Sequence, residues 1–201
     1  MTIQSLQPLT TPNELDIARE QIESVVVALP GKDDVLMVKQ SDWVAVPCES
    51  SDHFEQDDCV RLWHTALEHG YQEMIGLALE SMVEGNEGYE GVRVPTTLEA
   101  IEEFDSLYSF YWCVLYAGKP DWVILFTKLD YFVIAGPQDL VRRFIGCELS
   151  EAFDKFYNYL SDESYQPLKE HMTDVYCHLL HDYPKAAPGE IVVLREHFTA
   201  E

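Results

Sequence analysis

His171, Asp174, His178 and His181 are the residues whose types and spacing most resemble a reactive centre. On a helix advancing about 100° per residue they fall on one narrow face, and side chains three or four positions apart can chelate one ion. A metal-dependent hydrolase built on this stripe is therefore the alternative functional reading. Two features count against it. The spacing is not His-Glu-x-x-His, so no glutamate stands ready as general base. Leu168, Met172, Val175, Tyr176, Leu179 and Tyr183 form a separate apolar face, which turns the stripe toward solvent and away from the dry cavity a catalytic metal needs. The expectation is a polar surface with no metal, no cofactor and no catalytic residue. Cys177 lies off the apolar face with no visible base pairing in sequence, and is a poor candidate nucleophile.

Charge points elsewhere. Thirty-six acids face thirteen Lys and Arg, for a net charge of −23. Between Gln40 and Asp105 there are sixteen acids and two bases, Arg61 and Arg93. Such a field repels phosphates and anionic membranes, which argues against nucleic-acid binding, and it speeds encounter with a basic protein. Asp52, Glu55, Asp57, Asp58, Glu84, Glu87 and Glu90 are the candidate contact residues. On the helix carrying them, Asp57, Arg61, His64 and Glu68 read as a polar stripe with Asp57 paired to Arg61 one turn on. The leading reading is a non-enzymatic acidic binding protein, of inhibitor, immunity or adaptor type.

Several classes fall away. The chain shows no GxSxG elbow, no Walker loop and no dinucleotide fingerprint. Its first residues lack the basic and apolar blocks of a secretory leader, and Lys119-Pro120-Asp121 and Lys128-Leu129-Asp130 interrupt its most apolar region, so no membrane span is expected. Five dispersed cysteines without a CxxC argue against a disulfide framework and for a reducing cytoplasm.

The positioning elements predict an α+β fold, with an antiparallel sheet made of a hairpin and a meander and with helices packed on it. Thr11-Pro12-Asn13-Glu14 is a capping box opening a helix to about Ala28. Val35–Lys39 and Trp43–Pro47 read as a hairpin. A second box, Asp52-His53-Phe54-Glu55, opens a helix closed by Gly70, and Tyr71–Leu79 reads as a strand weakened by Gly76. Residues 84–91, EGNEGYEG, are the clearest break. They are expected to be a flexible acidic loop dividing one domain of residues 1–201 into halves 12–81 and 95–201.

Pro95-Thr96-Thr97-Leu98-Glu99 opens a third helix, followed by strands within 107–117, 122–127 and 131–135. Three helices follow: one closed by Gly146, one capped by Ser150, and one from about Tyr165 to Tyr183. A last strand is expected at Ile191–Leu194. VLMVKQSDWVAV (35–46) and VILFTKLDYFVI (123–134) align without gaps. Duplication of a helix–hairpin–helix unit would leave that echo, and so would ordinary hairpin chemistry.

Overall fold

The structure is a computed structural model, and it describes residues 5–29, 32–38, 42–50, 54–79, 89–108, 111–163 and 165–182. It is α+β. Helix α1 (Pro12–Glu23) begins as the sequence predicts: the Thr11 hydroxyl accepts the Glu14 amide at 3.2 Å, and the Glu14 carboxylate accepts the Thr11 amide at 3.2 Å. The Thr11 hydroxyl also donates to the Glu14 carboxylate at 2.7 Å, and that bond, then Arg93 and the Thr11 amide, hold the Glu14 carboxyl below its ordinary range. The helix stops at Glu23, short of the expected Ala28. The β-branched run Val25-Val26-Val27 favours extended backbone, and β2 (Val26–Leu29) takes it up.

The expected first hairpin does not form. Strand β3 (Lys32–Val38) pairs with β2, from which two residues separate it, in a two-stranded sheet of their own. That short connection suits an antiparallel pair, and it leaves β4 (Val44–Glu49) free. β4 joins the main sheet against β9 (Tyr131–Gly136), from Val44 opposite Gly136 to Glu49 opposite Tyr131. Only 123–134 is a hairpin, β8 (Trp122–Phe126) with β9, and its turn takes Asp130 to a φ of 56°. The echo with 35–46 is one of sequence and not of structure.

The main sheet has seven antiparallel strands in the order β1-β6-β5-β7-β8-β9-β4, with β1 at Gln7–Pro8, β5 at Glu73–Ala78, β6 at Gly91–Pro95 and β7 at Cys113–Ala117. Strands from both sides of the 84–91 break are interleaved within it. β6, unanticipated in the sequence, lies between β1 and β5. Every residue of β7, β8 and β9 is buried, which is why these segments read as continuous apolar runs. Residues 84–88 and 191–194 lie outside the described residues. Tyr89 is tied down, its amide donating to the Tyr108 hydroxyl at 3.2 Å and its carbonyl accepting from the same hydroxyl at 2.7 Å.

Register decides which side chains share a face. Trp122, Ile124, Phe126 and Phe132 point to one side, where α2 (Gln56–Glu68), α3 (Leu98–Tyr108) and α4 (Gln138–Ile145) pack. Tyr116, Val123 and Tyr131 point to the other, toward α1 and α6 (Gln166–Asp182), as the Tyr116 bond to Gln21 and the Tyr131 bond to His171 record. Between them, after the left-handed Gly146 (φ 69°), α5 (Leu149–Asp162) runs along β4 and covers the sheet edge it would otherwise leave open. α3 continues through Tyr108, in a segment read as strand, because Phe104 and Tyr108, one turn apart, stack at 4.8 Å between centroids.

Gly76 explains itself in this packing. A Cβ there would stand 2.2 Å from the Phe104 ring. Gly76→Ala is expected to cost about 1–3 kcal/mol by forcing that ring from its place, read as a shift of the urea midpoint with unchanged slope. No loss would mean that the ring has room to move.

Candidate functional site

Helices α2 and α3 carry seven of the sixteen acids between Gln40 and Asp105, against one base, and the core holds both in place. Phe54 stands just before α2, only 7% exposed, with its ring centroid 4.8 Å from that of Phe126 and 5.0 Å from that of Phe132. Its amide donates to the carboxylate of Asp105 on α3 at 2.9 Å. The start of α2 is thus fixed to α3 and to the sheet together.

The carboxylates that follow have different jobs. Glu55 and Asp57 are exposed, at a helix start where negative charge is favoured. Asp58 is structural. One of its oxygens receives Arg61 at 2.5 Å, and the other accepts the Glu55 amide at 3.1 Å. Arg61 therefore pairs with Asp58, at i+3, and not with Asp57 as the sequence suggested. Arg61 also donates to the Phe144 carbonyl at 2.9 Å, joining α2 to α4. On α3, Glu99 and Glu102 are exposed while Asp105 is buried, and no Lys or Arg lies on that helix. The Cys59 thiol between the two helices is pushed up to about 12, by burial first and then by Asp105 and Glu102.

An apolar stripe runs along α2. Val60, Trp63 and Leu67 follow at i, i+3 and i+7 on α2, with Leu67 44% exposed and the Trp63 ring 4.7 Å from that of His64. The structure does not bring all the expected contact residues together. Glu90 is exposed but paired with Arg19 of α1 at 2.6 Å, on the opposite side of the sheet. Asp52, Glu84 and Glu87 lie outside the described residues. Glu99 and Glu102 were missed, although their spacing on a capped helix was there to be read.

Asp58→Ala is expected to cost about 1–3 kcal/mol, since it strips partners from a half-buried guanidinium and a helix-start amide. Asp57→Ala should stay within about 0.5 kcal/mol. Denaturant titration of the two variants checks the contrast, and equal losses would contradict the division of roles.

The histidine stripe is not uniformly wet. His171 is half-buried, and its Nε2 lies 3.0 Å from the Tyr131 hydroxyl. The cause is the position of α6, whose Met172, Val175 and Tyr176 are buried so that the helix leans on α5 and β4, within reach of the Tyr131 hydroxyl. Asp174 is half-buried as well, and the side chains of His178 and His181 lie outside the described residues. Among the described residues no three His, Cys, Asp or Glu side chains are grouped to hold a metal.

One cavity of about 260 Å³ opens between β4, the first turns of α2 and the α4–α5 junction. Phe132, Phe144 and Phe156 line its inner part, and Glu49, Glu55, Asp58, Arg61 and Lys155 its polar part. The Cys48 and Cys147 thiols also face it, and burial pushes both up, so they are neutral at physiological pH. Nothing in the sequence places Cys48 beside Cys147. No protein-family model, curated protein or solved structure matches the chain. Among the described residues, no helix is long and apolar enough to cross a membrane.

Proposed function

We propose that this protein is a non-enzymatic, cytoplasmic binding protein whose acidic α2–α3 surface engages a basic protein partner, in an inhibitor, immunity-type or adaptor role. The observation that carries the reading is the arrangement of Asp57, Glu99 and Glu102. They are exposed on adjoining helices beside the half-exposed Trp63 and Leu67. Carboxylates supply long-range steering, whereas a desolvated aromatic or aliphatic anchor supplies most of the affinity.

Capture from a lysate of the source cells tests this, with the wild-type chain and a charge-reversed chain (Asp57→Lys, Glu99→Lys, Glu102→Lys) as parallel baits. A basic protein is expected on the wild-type bait at low ionic strength, released as salt rises, and absent from the reversed bait. Equal retention on both baits would contradict the assignment of the surface.

A further inference from the structure

We infer that the cavity beside β4 seats one arginine side chain of the partner; this rests on the reading of that partner as basic. At about 260 Å³ the space is smaller than the roughly 300–1,000 Å³ of pockets that enclose whole small-molecule ligands. It suits a single long side chain. Phe132, Phe144 and Phe156, each no more than 2% exposed, form its back wall, and charged side chains line its mouth.

The charge balance at the mouth selects the sign of the occupant. Arg61 is already engaged by Asp58 at 2.5 Å and the Phe144 carbonyl at 2.9 Å, and Lys155 by Glu151 at 2.8 Å. Glu49 and Glu55 form no salt bridge among the described residues, and both are exposed at the rim. The two cavity-facing thiols add no charge at physiological pH. What remains unneutralised is carboxylate, so the cavity calls for a cation.

Arginine fits better than lysine. Its planar guanidinium meets a carboxylate through two parallel hydrogen bonds, which a lysine ammonium cannot do, while its methylene stem lies against apolar lining such as Ile145. Glu55 also stands two residues before Asp57 in the chain.

Four blocked pentapeptides test the inference, each with glycines around a central arginine, citrulline, lysine or glutamate, titrated while the methyl resonances of Ile145 and Ala152 are followed by NMR. The arginine peptide should shift those signals, with the citrulline peptide about tenfold weaker because it keeps the shape and loses the charge. Glu49→Gln together with Glu55→Gln should weaken arginine binding about tenfold. Ala152→Leu, its fold checked by thermal melting, should abolish it by filling the space. Equal binding of arginine and citrulline, or absence of any shift at Ile145 and Ala152, would overturn the inference. Preference for the glutamate peptide would do so too, making Arg61 and Lys155 the core of an anion site.

The two readings fail separately. A basic protein that still binds through Asp57, Glu99 and Glu102 while the arginine peptide leaves the cavity untouched removes the cavity inference alone. A peptide seated in the cavity, with protein capture indifferent to charge reversal, removes the surface reading alone.

Discussion

Phe54→Ala is expected to destabilise the protein by about 3–5 kcal/mol, the range for deleting a buried phenyl ring. The ring lies among Phe126, Phe132 and Phe144, with centroids 4.8, 5.0 and 6.0 Å away. All three belong to other elements, so the neighbourhood cannot collapse without moving β8, β9 or α4. A loss of that size is a large part of the 5–15 kcal/mol that typically separates folded from unfolded chains. The change should also loosen the start of α2, because Phe54 is where that helix is fixed to Asp105. Denaturant unfolding gives the first effect, and amide exchange of Asp58 to Leu62 the second. A loss below about 1 kcal/mol would show that the aromatic cluster does not hold α2.

Reversing Asp57, Glu99 and Glu102 to lysine is expected to slow association with the proposed basic partner by about 10–100-fold at low salt, within the range that electrostatic steering supplies. Stability should change little. Asp57 and Glu99 lie in first helical turns, where losing favourable charge costs about 0.3–1 kcal/mol each. Asp58 has to be kept, since its ties to Arg61 and to the Glu55 amide would turn a charge test into an unfolding test. Dissociation should change less than association, because rim charges act mainly on encounter. A rate unchanged by the triple reversal would show that the partner meets another surface.

Elements set by local chemistry could be read from the sequence. The Thr11–Glu14 box, the Thr97 start of α3, whose hydroxyl accepts the Ala100 amide at 3.2 Å, and the left-handed Gly146 each depend on a few neighbouring residues. So did the strands of the meander. What the sequence withheld was partnership across distance. Alternation marks Val44 and Val46 as strand residues, but it does not say whether β4 pairs with β3 nearby or with β9 far along the chain. Burial against Phe132 and Ile134 settled that choice. β6 failed for a related reason: five residues that begin at a glycine and end at a proline look like linker until β1 and β5 flank them.

The candidate site divides in the same way. Its acidity was plain in the composition, whereas the separation of Asp57 from Asp58 depends on which carboxylate the fold aims at Arg61. Likewise, only the packing of α6 against α5 and β4 brings His171 to Tyr131 and off the wet face assigned by helical periodicity. The cavity was invisible, because its lining comes from β4, α2, α4 and α5.

The most direct test of the acidic-surface reading is the association rate of the captured partner with the wild-type protein as ionic strength rises from about 0.1 M to about 1 M. Over that interval the Debye length contracts from about 10 Å to about 3 Å. Steering by Asp57, Glu99 and Glu102 predicts a rate that falls by about tenfold or more, and a triple-reversed protein whose rate no longer falls. A rate that stays constant across that interval, with the wild-type and reversed proteins alike, would contradict it.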